Sequence, residues 1–387
     1  MSNLTQNDSL YIANTYARFP VEISHGKGSI AYDFDGKEYI DLGTGIGVTA
    51  FGYADEVWAN AVKAQIDKVQ HTSNLYYTEP CVSLAKLLCE KTGLKKVFFS
   101  NSGAEANECA IKVARKYYED KGIKNAKIIT LNNSFHGRTL ATLSATGQEV
   151  FHQSFLPLVD GFLHIDNGDI NALNDAVKNN TVCAIMLECV QGEGGVLPVS
   201  NDFMQAVKKV CDDNDILLIV DEVQTGNGRT GKLYAYMHYG ITPDVLTTAK
   251  GLGGGLPIGA CVIGEKAKGV LTAGSHGSTY GANPVCCAGA LSILERIDDT
   301  VCAEIEQKSQ YIINELSSTK GVISVTGKGL MLGVKCEKPS KEIVLKCIER
   351  GVLLLTAKDK IRFLPALNIP FDLLKKAIAI VKDVIAE

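Results

Sequence analysis

Five short apolar runs constrain the fold of this chain more than any other feature. "KKVFFS" (95–100), "AKIITL" (126–131), "VCAIMLE" (182–188), "ILLIVD" (216–221) and "DVLTTAK" (244–250) read as strands, and the segments between them have helical period. Of those, "AEANECAIKVARKYYED" (104–120) and "NDFMQAVKKVCDDN" (201–214) read as amphipathic helices, the second with Asn201 as its N-cap. Strands alternating with helices predict βα units around a mostly parallel central sheet with helices on both faces, an α/β fold. From about residue 283 the texture changes to longer helices, roughly 283–297 and 301–319, and shorter strands around 322–335 and 361–364. That predicts a smaller α+β domain over 283–387, closed by the helix "FDLLKKAIAIVKDVIAE". The large domain then spans 51–282, with an N-terminal segment, 1–50, associated with the small one.

Composition agrees with this and narrows the function. A chain of 387 residues with 46% hydrophobic content can bury one large core or two. Its net charge of −4, with Lys and Arg spread along the sequence, forms no basic stripe, so no nucleic-acid partner is expected. The twelve cysteines form no CxxC pair, and several lie in apolar stretches, such as Cys183 and Cys261. They read as reduced core thiols of a cytoplasmic protein. "MSNLTQNDSLYIANTY" lacks the apolar stretch of an export signal, and no apolar run approaches the roughly 20 residues that span a bilayer. The histidines are scattered, without HExxH or a Cys/His cluster, so no metal site is expected.

In open α/β sheets ligands bind beyond the carboxyl ends of the strands. Here those ends carry "NSGAEANE" after the first run, "NNSFHGRT" after the second, then Glu188, Asp221 and Lys250. A solvated surface does not explain acids, an aromatic and a lysine at equivalent positions. Lys250 is followed by five glycines in "GLGGGLPIG". It is either a snorkelling side chain before a surface turn, or a nucleophile able to form a Schiff base beside a backbone that passes close to a cofactor. Ser102, Gly103 and Ala104 open a helix, where free N–H groups can hold a phosphate; a plain turn is the other reading. Asp221 at a buried strand end needs a cationic partner, such as a pyridinium nitrogen. Phe135 can stack on a ring or belong to the core.

"NSGAEANECAIKVAR", "NSFHGRTLAT", "LECVQGEGGV", "LLIVDEVQTGNGRTGKLYAYMHYGITPDVLTTAKGLGGGLPIGA" and "GSHGSTYGANPVCCA" resemble the class III pyridoxal-phosphate aminotransferases of fold type I. The resemblance runs from "NTYARFP" to "IRFLPALNI", almost the whole chain. It implies that pyridoxal 5'-phosphate is the cofactor, that Lys250 carries it as a Schiff base, and that Asp221 pairs with its pyridine nitrogen. It further implies that Gln224 reaches the phenolic oxygen, that Gly103 and Ala104 with Ser102 hold the phosphate, and that Phe135 stacks on the ring. Glu222 and Val223 of the "DEVQ" run are counted with the cofactor site. Thr279 is expected to reach the phosphate of a neighbouring subunit, which makes the protein a homodimer with shared sites. Arg362 matches an arginine that grips the α-carboxylate of glutamate or 2-oxoglutarate. Arg138 and Ser278 match contacts to acetylornithine, and Tyr16 is placed with the substrate site. Glu188 is expected to pair with Arg362 when no α-carboxylate does, the other reading being a structural acid at a strand end.

The implied reaction is transfer of the terminal amino group of N2-acetylornithine to 2-oxoglutarate. Ornithine, succinylornithine or 4-aminobutyrate are the alternative amines, and a non-catalytic cofactor-binding homologue is the remote alternative. Two departures from the family pattern stand out: Ala104 replaces a common Thr, and "GYADEVW" (52–58) replaces "GHxHP". "GNGRTGKL" (226–233) nearly spells a nucleotide-binding P-loop, but Leu233 stands where a hydroxyl would hold Mg²⁺.

Overall fold

A computed structural model describes residues 3–387. Seven strands make the main sheet: β1 Lys96–Ser100, β2 Lys127–Leu131, β3 Phe162–Ile165, β4 Val182–Leu187, β5 Leu217–Asp221, β6 Val245–Thr248 and β7 Gly259–Ile263. Their spatial order is β1-β7-β6-β5-β4-β2-β3. Strand β7 runs antiparallel to both β1 and β6, and the other pairings are parallel. The five strands read from the sequence are all present. Strands β3 and β7 are additions: "FLHI" is short and half-buried, and "GACVI" follows the glycine loop so closely that it reads as part of it.

The central strands β4, β5, β6 and β7 are buried at every residue, as strands covered by helices on both faces must be. One covering helix, Gly103–Glu119, turns Ala106, Cys109, Ala110, Val113 and Ala114 inward. Its first turn is capped reciprocally: Ser102 Oγ accepts the Glu105 N–H at 3.2 Å, and the Glu105 carboxylate accepts the Asn101 N–H at 3.0 Å. The helix Asn201–Asp213 is capped by Ser200, whose hydroxyl accepts the Phe203 N–H. The expected cap, Asn201, is the first helical residue instead.

Two four-stranded sheets and a short ribbon of Val190–Gln191 with Leu197–Pro198 accompany the main sheet. Ile23–Lys27, Ile30–Asp33 and Glu38–Asp41 form a meander, and Val352–Leu353 joins its edge in parallel. Val322–Lys328, Met331–Cys336, Lys360–Phe363 and Leu355–Ala357 form the other. The closing helix Phe371–Ala386 buries Leu374, Ala377, Ile378, Val381 and Ile385, a helical stripe legible in the sequence. In the P-loop look-alike the buried Arg229 donates to the carbonyls of Leu330 and Pro365, clipping this segment to the C-terminal sheet. The cysteines are unpaired, and all but Cys81, Cys89 and Cys302 are buried. Among the described residues no helix is long and apolar enough to cross a membrane.

Candidate active site

A cavity of about 430 Å³ opens at the carboxyl edge of the main sheet. Its lining includes Ser102, Gly103, Ala104, Phe135, Arg138, Glu188, Asp221, Val223, Gln224 and Lys250, so most residues expected at the site share one wall.

At one end lies the start of the helix Gly103–Glu119. The N–H groups of its first residues have no carbonyl one turn behind them, and they face the cavity with the positive end of the helix dipole. A side chain at 103 is excluded, since a Cβ there would meet Val223 Cγ1 at 2.6 Å. The bare backbone is what lets an anion approach. Ala104 offers no hydroxyl, so N–H groups and the Ser102 turn carry this end.

Asp221 ends β5 on the cavity floor and is 3% exposed. Its Oδ2 accepts from Asn107 Nδ2 at 2.7 Å and lies 2.8 Å from His136 Nδ1; its Oδ1 accepts the Val223 N–H at 3.0 Å. Asn107 is itself oriented by the Thr247 hydroxyl, 2.6 Å from its Oδ1.

Lys250 follows β6 with φ +45°, a left-handed conformation that costs a non-glycine residue about 1 kcal/mol or more. Asn227 holds the bend, donating to Thr248 Oγ1 and the Ala249 carbonyl. Burial pushes the Lys250 amine below the usual lysine range, and Glu193 partly opposes that shift. The glycine loop behind it is covered by Trp58, whose indole N–H donates to the Gly253 carbonyl at 3.0 Å. A Cβ on Gly254 would meet the Trp58 Nε1 at 2.9 Å. The "GYADEVW" departure therefore supports the loop that carries Lys250.

The substrate end differs from the expectation. Arg362, on the strand Lys360–Phe363, is 3% exposed. Its guanidinium pairs with Glu193 Oε1 at 2.6 Å and donates to Gln224 Oε1 at 3.2 Å. The expected partner, Glu188, is engaged elsewhere: Oε1 accepts the Phe135 N–H at 2.9 Å and Oε2 accepts the Gly192 N–H at 3.1 Å. Glu188 ends a buried strand and points back into its own loops, whereas Glu193 sits on the glycine turn that faces Arg362. Burial pushes Glu188 up to about 7. Burial would also raise Glu193, but Arg362 outweighs it and holds that carboxyl below its usual value.

Glu222, Ser278, Thr279 and Tyr16 lie outside the cavity lining, as does Arg362. Glu222 is fully buried and turned away, accepting from Thr225 Oγ1 and the Tyr236 N–H. Ser278 reaches the lining through Asn101, whose amide donates to its hydroxyl at 3.2 Å. Thr279 is exposed, and Tyr16 is 70% exposed beside Arg18. Arg138 lines the mouth with its guanidinium 4.1 Å from the Phe151 ring centre. Asn107, His136 and Glu193 were missed. An Asn on a buried helical stripe was the available signal for the first, and the acid of "QGEGG" for the last.

The model of the aminotransferase class-III family matches residues 11–385. The chain belongs to this family. It is 50% identical over 387 residues to the acetylornithine aminotransferase of Haemophilus ducreyi, covering 99% of this chain and 98% of that one. It is 43% identical over 380 residues to the succinylornithine transaminase of Citrobacter koseri, covering 95% of this chain and 93% of that one. Among solved structures, the ornithine aminotransferase of Toxoplasma gondii, which holds PLP at partial occupancy in its active site, superposes with a TM-score of 0.94 at 32% identity, covering 99% of this chain and 94% of that one. As a class-III aminotransferase the chain uses pyridoxal 5'-phosphate, and the donor set fits it: bare helix N–H groups for a phosphate, a buried carboxylate for a ring nitrogen, and an amine of lowered basicity for a carbonyl.

Proposed function

We propose that this aminotransferase moves the terminal amino group of N2-acetyl-L-ornithine to 2-oxoglutarate, giving N-acetyl-L-glutamate 5-semialdehyde and L-glutamate. The observation that carries this reading is the Arg362–Glu193 pair, 2.6 Å long, which Gln224 of the cavity lining bonds on both sides. A buried arginine that must grip the α-carboxylate beside the reacting carbon in one half of the reaction needs another anion in the half where the amine donor reacts at its terminal carbon and carries its carboxylate elsewhere. Glu193 is that anion. Identity to acetylornithine aminotransferases from several organisms, at 40–50%, supports the choice of amine.

Pyridoxal phosphate, when bound, supplies an electron-withdrawing ring that makes the bond to an amine-bearing carbon acidic. The chain's own groups do the rest. Gly103 and Ala104 would hold its phosphate through their N–H groups. Asp221, fixed by Asn107, His136 and the Val223 N–H, would serve the ring nitrogen as counter-charge. Val223 and Phe135 would line the ring's pocket, and Gln224 would serve its phenolic oxygen. Lys250 would anchor the group and hold and move a proton at its Nζ, a task suited to an amine whose pKa burial has lowered. Arg138 binds the carboxylate of the amine donor at the mouth.

Two copies complete the site. Leu75, Tyr76, Tyr77 and Tyr280 are exposed on one surface, where Asn74 bonds the carbonyls of Ser278 and Gly281. An apolar surface of this kind suits a second subunit, and it presents Thr279 outward, toward that subunit's phosphate. Free, buried thiols suit the reducing cytoplasm.

The test is a comparison of kcat/KM for N2-acetylornithine, N2-succinylornithine, ornithine and 4-aminobutyrate with 2-oxoglutarate as acceptor. Acetylornithine should lead. A lead by another amine overturns the substrate, and no turnover with any amine overturns the reading.

A further inference from the structure

Glu188 lies in the cavity wall but, at 4% exposure, behind the residues that would meet a ligand. Its two oxygens hold N–H groups of two different loops, Phe135 at 2.9 Å and Gly192 at 3.1 Å. The first loop, 132–138, presents Phe135 and Arg138 to the cavity, and the second, 192–195, presents Glu193 to Arg362. These loops touch along their length. Gln191 Nε2 donates to the Asn132 carbonyl at 2.8 Å, and Gly194 lies so close that a Cβ there would be 2.3 Å from the Asn133 carbonyl oxygen. Neither N–H that Glu188 accepts belongs to a regular ladder, so without it the buried Gly192 N–H and the half-buried Phe135 N–H would both lack an acceptor.

We propose that Glu188 is a positioning residue whose carboxylate locks the ring-facing loop to the turn that carries Glu193, so that Phe135 and the Arg362 gate hold one fixed relation. The proposal rests on the aminotransferase reading above. A carboxylate suits the task because both its oxygens accept; glutamine would turn an NH₂ group toward one of the two N–H groups, donor against donor. Burial, and to a lesser degree the nearby Asp221, favour protonating Glu188, while His136 and the two N–H bonds oppose that; together they push its pKa up to about 7.

The experiment is a double-mutant cycle on the holoenzyme with Glu188→Gln and Glu193→Gln, following each half-reaction in single turnover, with the visible spectrum of bound cofactor as a readout independent of turnover. Glu188→Gln should perturb that spectrum and shift the ratio of the acetylornithine to the glutamate half-reaction by about fivefold, roughly one hydrogen bond's net worth. The shift should have the same direction as that of Glu193→Gln, and it should vanish in the Glu193→Gln background. Equal loss in both half-reactions, additive with Glu193→Gln, would mean a merely structural acid and overturn the proposal. So would an unchanged ratio in an active enzyme. Should Glu188→Gln fail to fold, Glu188→Asp, which keeps both acceptors but draws them back by one methylene, goes through the same cycle with the same decision. Wild-type protein without turnover would sink the parent reading instead.

Discussion

The two ends of the cavity are built in different ways. The cofactor end is made of backbone and strand termini: the first turn of the helix Gly103–Glu119, Asp221 at the end of β5, and Lys250 just past β6. Its parts sit on one sheet, Asp221 held by three hydrogen-bond partners and the bend at Lys250 by Asn227. The substrate end is made of side chains from remote segments: Arg362 from the C-terminal sheet meets Glu193 from a glycine turn and Gln224 from beyond β5. A group that stays bound through every turnover suits a rigid cradle. A pocket that must accept two different substrates suits an ion pair that can exchange partners, and Gln224, bonded to both members of the pair and lining the cofactor wall, links the two ends.

The largest effect should come from the rigid end. Lys250→Ala should abolish turnover while leaving the fold intact, and borohydride, which should attach the cofactor to residue 250 of the wild type, should attach none. Residual turnover near wild type would show that the cradle lacks the role given to it. Asp221→Asn comes next: the shape survives but the counter-charge is lost, so cofactor should bind while kcat falls by about 10² or more.

At the exchangeable end the effects should divide by substrate. Arg362→Ala should cripple the glutamate half-reaction by roughly 2–5 kcal/mol, the usual cost of breaking a buried charge pair, and spare the acetylornithine half-reaction. Glu193→Ala should leave glutamate handled at least as well and lower the preference for the terminal amine. Single-turnover rates of each half-reaction decide this; equal losses in both would show that the two ends do not differ as described.

The smallest effect concerns stability. Glu222 lies fully buried below the site, and burial pushes it up to about 7 from an ordinary 4.5. Between those values the folded protein holds a proton that the unfolded chain has released, so stability is fully present below about pH 4.5 and declines as pH rises through 7. A tenfold difference in proton affinity between the folded and unfolded chain corresponds to about 1.4 kcal/mol of stability. Glu222→Gln should flatten the fall of apoprotein Tm between pH 5 and 8, and an unchanged slope would show that this carboxylate does not set it.

Much of this molecule was legible in one dimension. The strands carrying Glu188, Asp221 and Lys250 declared themselves as apolar runs with a chemical group at the end, because a strand buried on both faces leaves nowhere else for a polar side chain. The amphipathic helices were equally plain. What the sequence alone determined is thus the sheet's parallel core and the edge at which Glu188, Asp221 and Lys250 gather round one cavity.

Partnerships between distant side chains were decided only in three dimensions. Glu188 and Glu193 lie five positions apart, and nothing local says which faces Arg362. The answer depends on how the C-terminal strand Lys360–Phe363 packs beside the turn at 192–195. Strand β7 joined the sheet through pairing with β6, its near neighbour in the chain, and with β1, where Gly259 meets the distant Ser100. The physical reason is the same in both cases: periodicity records which face of an element is buried, whereas an ion pair or a ladder between remote segments is fixed by the packing of whole elements.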